Sequence, residues 1–306
     1  MRIAAMAAGA VGGYFGARLA TAGHDVFFIA RGAHRDAIAK GGLKIESLLG
    51  DLHLPKPNVT ADPAKVGPVD IVLFAVKPWD TEKAAEQARP LVGENTRIIT
   101  LQNGVDSVER LAPILGIEQT IGGLASISAS IVAPGVIKHT SQPAKLRFGH
   151  PDKRADELNA FVDASKAAKL DIALATDIQR ELWEKFIFLT VLAGSTASLR
   201  SSIGPIIADP ELRGFFRALM EEAFAVGKAK GVALNTAFLD EQMRFVVNKI
   251  EPGRNIDFTV GRSHKIPLVS IAGIERAPTR RSLRNPIRLK RTPHISGCKG
   301  VDKANA

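Results

Sequence analysis

Only one cysteine, Cys298, occurs in the chain, so no internal disulfide can form and a small cross-linked fold is excluded. A lone thiol suits a reducing compartment, and the cytoplasm is the expected location. No apolar run approaches the roughly 18 residues that span a bilayer, which argues against a membrane partner. The alanine-rich start after Met1-Arg2 has the composition of a leader, but Gly9, Gly12 and Gly13 interrupt it and an alternating pattern continues beyond. It therefore reads as the first strand of a fold. Aromatic residues make up 6% of the chain and do not interleave with the basic residues as a single-strand nucleic-acid surface requires. The seven histidines show no metal-ligand spacing, and no Ser/His/Asp signature is present, so neither a metal nor a nucleic-acid partner is expected.

The net charge of +10 is unevenly distributed. From Glu251 to Ala306 there are 12 Lys and Arg against 4 Asp and Glu, leaving 29 against 27 in the first 250 residues. The body is nearly neutral and the tail is basic, so the charge is a property of one segment.

The segment "RIAAMAA" (2–8), a glycine loop, an amphipathic helix to about Thr21, the turn "AGHD" and the run "VFFIAR" (26–31) form a strand–helix–strand unit. "VDIVLFAVK" (69–77) and "TRIITLQNG" (96–104) are near-continuous apolar runs, as strands buried on both faces require. A helical segment, Asp80 to Val92, lies between them. Alternating strands and helices imply a doubly wound α/β sheet with its ligand along the C-terminal edge of the strands. "PGVIKHT" (134–140) and "AKLRFGH" (144–150) read as two short strands joined by a turn that close this sheet. A helix over about 152–169 and a strand "DIALATD" follow. From Ile178 to Val232 the apolar spacing is helical, with Asp209 as N-cap, Pro210 at the first helical position and Gly231 at the C-cap. The expected architecture is a Rossmann-like N-terminal domain (1–174), an all-α C-terminal domain (175–247) and an irregular basic tail (248–306).

The loop "AMAAGAVGG" carries two of the three glycines of a dinucleotide fingerprint. Gly9 stands where the backbone must approach a pyrophosphate and Gly12 where the helix must pack closely on the strand, while Ala7 occupies the place of the first glycine. Alanine is tolerable there if its φ is negative and costly if φ must be positive. The second strand ends in Arg31 rather than an acidic residue, which accommodates a 2′-phosphate and points to NADPH. Lys77 and Asn103 end the next two long strands at the same edge, where a cation could meet an anionic group and an amide could hold a carbonyl or hydroxyl. Lys185, within "ELWEKFIFL", has apolar neighbours that would desolvate it, lower its pKa and suit it to donating a proton.

These segments, with "LQNGVDS" and "SSIG", together resemble the ketopantoate reductases (2-dehydropantoate 2-reductases) over about residues 1–245. The resemblance implies a Rossmann domain followed by a helical domain like the C-terminal domain of 6-phosphogluconate dehydrogenase. It also implies NADPH-dependent reduction of 2-dehydropantoate to pantoate in pantothenate biosynthesis. Residue by residue, it implies that Ala7, Ala8, Gly9, Ala10, Val11 and Gly12 form the pyrophosphate loop and that Arg31 binds the 2′-phosphate. Lys77 and Asn103 would line the cleft, Asn103 orienting the substrate carbonyl, and Lys185 would be the proton donor. A 2-oxo acid is the implied small-molecule substrate, and a homodimer is left open.

Three positions depart from the family pattern. Ala7 replaces a glycine. Leu189 and Ala193 stand four and eight residues after Lys185, where the family carries asparagines facing the substrate, which leaves a related 2-oxo acid open as the substrate. After about Val247 the periodicity is lost, and only "RNIDFTVG" (254–261) faintly resembles the family's glutamate-bearing segment, with Asn255 in the acid's place. Ser263 and Glu275 share the family's Ser-to-Glu spacing without its surroundings, so neither takes a role. The expectation is a shifted reading frame or another terminal rearrangement, which could leave an NADP-binding protein without turnover. The competing reading is a genuine basic extension that binds acidic partners.

Overall fold

A computed structural model describes residues 1–142, 144–150 and 158–249, all within one compact unit, Met1–Val260. The first crossover unit consists of β1 (Arg2–Met6), α1 (Ala10–Thr21) and β2 (Asp25–Ile29), followed by α2 (Gly32–Gly41). Then come β3 (Leu43–Ser47), β4 (Leu52–Leu54), β5 (Asn58–Thr60), β6 (Ile71–Phe74), α3 (Thr81–Ala88), β7 (Arg97–Thr100), α4 (Ser107–Leu115) and β8 (Thr120–Ser126). The central sheet has eight strands in the order β12-β11-β8-β7-β6-β1-β2-β5, where β11 is Lys145–Gly149 and β12 is Asp171–Leu174. The six strands from β8 to β5 run parallel, whereas β11 runs antiparallel to β8.

Successive side chains of a strand point to opposite faces, and here both faces are covered. On β1 and β6, Ile3, Ala5, Ile71 and Leu73 pack on one side with Phe15 and Leu19 of α1. Ala4, Met6, Val72 and Phe74 pack on the other with Ala84, Ala85 and Ala88 of α3 and Leu111 and Leu115 of α4. The near-continuous apolar runs follow directly from this two-sided burial.

A second sheet departs from the reading of 134–150 as one hairpin. β9 (Ala129–Ala133), β10 (Val136–His139), β3 and β4 form a four-stranded sheet in the order β4-β3-β10-β9. The Pro134-Gly135 turn, with Gly135 at φ +77°, folds β10 back on β9, and β10 then pairs in parallel with β3. Thus "PGVIKHT" begins with the hairpin turn of β9–β10, and "AKLRFGH" joins the other sheet through β8. Alternate burial decides the pairing: Ile137 and His139 are buried against α1, and Lys138 is exposed.

The helical part comprises α6 (Ile178–Leu199), α7 (Ile203–Ala208), α8 (Pro210–Ala229) and α9 (Ala237–Lys249), and α5 (Asn159–Lys166) covers the sheet beside β12. Asp177 caps α6 by accepting from the Arg180 amide. Asp209 caps α8 by accepting from Glu211 and Leu212, with Pro210 in the first turn and Gly231 at φ +80° just beyond its end. Trp183, Ile187 and Val191 of α6 form a core with Phe216, Met220 and Phe224 of α8 and Val246 of α9. Among the described residues no helix is long and apolar enough to cross a membrane. Of the basic tail, only Asn248 and Lys249 fall in α9. Cys298, Asn255, Ser263, Glu275 and the rest of the tail lie outside the described residues.

Candidate active site

The phosphate loop sits at the C-terminal end of β1. Gly9 is the N-cap of α1, and no atom lies within 4 Å of where its Cβ would be. The first turn of a helix carries amides without an intrahelical acceptor and the positive end of its dipole, so an anion is favoured there. Gly12 does a different job: a Cβ there would stand 2.6 Å from the Ala7 oxygen and 3.1 Å from the Ala75 Cβ. The open space over Gly9 and the tight contact under Gly12 are the two conditions a dinucleotide pyrophosphate imposes, so this loop fits the cofactor that the sequence implies. Ala7 adopts φ +66°, the left-handed region that costs an L-residue about 1–2 kcal/mol. The first position therefore does require a glycine-like conformation, and an alanine adopts it.

The other expected residues occupy the same edge. Arg31 follows β2, is exposed, and its guanidinium donates to the Gln87 Oε1 of α3. Lys77 follows β6 and Asn103 follows β7, and both are exposed. Their loops are held from beneath by a residue that the sequence reading passed over. Gln102 is 5% exposed and donates from Nε2 to the Val76 oxygen at 3.2 Å and to Thr81 Oγ1 at 2.8 Å. Arg110 adds a second tie, donating to the Pro78 oxygen at 2.7 Å and pairing with Glu82. The available signal was a polar residue at the end of an apolar strand in "LQNG".

Lys185 reaches this edge from α6. Ile178 and Leu182 of that helix pack over Gly122 of β8, and Lys185 follows Leu182 by three residues on the same stripe. Its Nζ donates to the Ala125 oxygen at 2.7 Å, near the end of β8, where that strand extends past its last pairing with β7. Burial pushes the ammonium pKa down from 10.5 to about 8. Glu181 and Glu184, on the same helix, are pushed up by burial. Val105, just after Asn103, packs against the helical core, which sets the Asn103 loop against the helices. From β2 to β8 is four strand spacings, about 19 Å at about 4.8 Å each, a span on the scale of an extended dinucleotide.

Similarity to known proteins identifies the family. Residues 3–153 match the family described as ketopantoate reductase PanE/ApbA, and residues 177–259 match its C-terminal domain. The chain belongs to the ketopantoate reductase family. It is 31% identical over 261 residues to a 2-dehydropantoate 2-reductase of Mesorhizobium japonicum, covering 76% of this chain and 77% of that protein. It superposes on the 2-dehydropantoate 2-reductase of Geobacter metallireducens with a TM-score of 0.76 and 33% identity, over 81% of this chain and 83% of the other. The same fold, at 18% identity and a TM-score of 0.72 over 82% of this chain and 80% of the other, occurs in a D-mandelate dehydrogenase solved with NADH and anilino(oxo)acetate. The protein is thus an oxidoreductase of this family.

Proposed function

We propose that this reductase converts 2-dehydropantoate to pantoate with NADPH, with Lys185 as the proton donor. The observation that carries the reading is a desolvated lysine with a pKa of about 8, at the sheet edge that also holds the phosphate loop and Arg31. When bound, the reduced nicotinamide supplies a hydride to the 2-oxo carbon. The chain's residues do the rest. The loop from Ala7 to Gly12 holds the pyrophosphate, Arg31 pairs with the 2′-phosphate, and Lys77 adds positive charge to the cleft. Asn103 orients the substrate carbonyl through its amide. The Lys185 ammonium, the populated form below pH about 8, gives its proton to the oxygen as negative charge develops there and is left as the amine. Its bond to the Ala125 oxygen holds Nζ in place without neutralising it.

Purified protein supplied with NADPH and 2-dehydropantoate should oxidise the cofactor, and Lys185→Ala should abolish the turnover while NADPH still binds. Failure of the wild-type chain to reduce 2-dehydropantoate would refute the reading. A second reading, a different 2-oxo acid, is favoured by Leu189 and Ala193, which place no amide on the helix after Lys185. Faster turnover of a 2-oxo acid lacking the hydroxyl of 2-dehydropantoate would select it.

A further inference from the structure

His34, in the first turn of α2, belongs to none of the groups above, yet it touches the phosphate loop. Its Nε2 lies 3.1 Å from the Ala8 oxygen, and its Nδ1 lies 3.1 Å from the amide nitrogen of Gly135 in the β9–β10 turn. Backbone chemistry assigns the proton: the Gly135 amide can only donate, so Nδ1 accepts, and the Ala8 carbonyl can only accept, so Nε2 carries the hydrogen. The turn is itself fixed, because the Gly135 oxygen accepts from the Lys44 amide of β3 at 2.9 Å.

Ala8 is 1% exposed, and its own amide donates to the Ile29 oxygen at the end of β2 at 2.7 Å. Both polar backbone groups of this residue are therefore committed. The peptide that follows it is planar and trans, so an oxygen aimed at His34 turns the Gly9 amide to the opposite side. Gly9 is the residue with open space above it, and its amide belongs to the orphan set at the start of α1. Beside it stands Ala7 in the left-handed region, a conformation that local rotation would relieve.

We propose that His34 is a positioning residue for the dinucleotide, with its ring bridging the second sheet to the Ala8 carbonyl and thereby holding the Gly9 amide toward the pyrophosphate. The inference rests on the reading of this loop as the cofactor site and adds a determinant of its geometry. Because the pyrophosphate is common to both dinucleotides, the effect on NADPH and NADH is the same, unlike that of a residue at the 2′-phosphate.

The test compares wild type, His34→Leu and His34→Gln by nucleotide fluorescence titration, steady-state kinetics and thermal melting. His34→Leu should raise the Kd for NADPH and NADH by a similar factor of about ten, the equivalent of about 1.4 kcal/mol, with kcat at saturating cofactor within about twofold. His34→Gln, whose amide can both donate and accept, should recover most of the affinity. A Leu variant that binds like wild type, or a Gln variant as weak as Leu, overturns the proposal. Nitrogen NMR of the wild-type ring is independent of how the variants fold: an Nε2–H tautomer supports the bridge, and an Nδ1–H tautomer overturns it. Failure of wild type to bind either dinucleotide overturns the cofactor reading itself, whereas equal binding by all three proteins overturns only the role of His34.

Discussion

Lys185→Met should make the protein more stable and catalytically dead. The lysine is pushed from 10.5 to about 8 by burial, and at 1.36 kcal/mol per pH unit this is a penalty of about 3 kcal/mol on the charged form. Methionine fills a similar volume without charge, so it removes that penalty while giving up the charged Nζ bond to the Ala125 oxygen, a loss of about 2 kcal/mol. The net expectation at pH 7 is a gain of about 1 kcal/mol. The sign follows from proton binding. Between pH about 8 and 10.5 the unfolded chain holds a proton that the folded chain has released, so wild-type stability rises with pH across that window and the advantage of the variant shrinks. Above the window both proteins are uncharged at this site, and the wild type keeps its hydrogen bond. Urea unfolding of both proteins at pH 7, 9 and 10.5 reads the difference directly. Turnover should fall by a factor of about 10² to 10⁴, and in the wild type the rate of reduction should decline as pH rises through about 8. A variant less stable than wild type at pH 7 would refute the desolvation argument. One retaining turnover within tenfold would refute proton donation by Lys185.

Gly9→Ala introduces a methyl group where no atom lies within 4 Å, at φ −75°, so thermal stability should rise by about 0.5 kcal/mol while NADPH affinity falls at least about tenfold. Ala7→Gly relieves the φ +66° conformation at the expense of a floppier unfolded chain; melting should show a change below about 1 kcal/mol, and titration a two- to threefold tighter Kd for NADPH. Arg31→Ala should weaken NADPH by about 1–2 kcal/mol and leave NADH within about twofold, which titration with the two cofactors measures. Leu189→Asn should raise kcat/KM for 2-dehydropantoate relative to its hydroxyl-free analogue by about tenfold, measured with both acids in one competition assay.

What the chain reveals about itself depends on how local the controlling physics is. β1, β6 and β7 are covered on both faces, so their residues are apolar without a break and the strands can be recognised in isolation. The bounds of α6 are equally local, set by the Asp177 cap and helical spacing through Leu199. The second sheet was illegible because its strands are short and half-exposed, and β10 chooses its neighbours through Ile137 and His139 meeting α1. The turn residues Pro134 and Gly135 were visible, but assigning them to β9 rather than to the following strand needed the pairing. Among site residues, Gly9, Gly12 and Arg31 follow from a spacing rule, and their placement at one edge matches it. Whether Ala7 would need a positive φ was open in the sequence, because a φ is a property of the turn and not of the residue. His34 gave no usable signal, and Gln102 gave only that of a polar residue ending an apolar strand, with no hint of its partners. Their partners lie 101 residues away at Gly135 and 26 and 21 residues away at Val76 and Thr81, so only the folded chain defines what they do.

The two ends of the site are unequally specified, which explains why the cofactor class is easier to read than the substrate. The dinucleotide end is fixed by backbone: a helix N-terminus, an empty space over Gly9, and a closely packed Gly12, none of which tolerates much variation. The substrate end is built from side chains on one stripe of α6. Ile178 and Leu182 hold the stripe to β8, Lys185 is the proposed proton donor, and Leu189 and Ala193 continue it without a hydrogen-bonding group. A pocket that donates to a substrate hydroxyl rejects an analogue lacking it strongly, because its own polar groups would be left unpaired, whereas an apolar wall discriminates by only about 1–3 kcal/mol. Beyond Lys185, Leu189 and Ala193 leave nothing on this stripe to go unpaired. Selectivity for 2-dehydropantoate over simpler 2-oxo acids must then come from elsewhere in the cleft, with Asn103 and Lys77 as its polar members, or be weak. The proposed chemistry at the 2-oxo carbon is untouched by that difference, since the roles proposed for Lys185 and the loop concern atoms that every 2-oxo acid and either nicotinamide dinucleotide share.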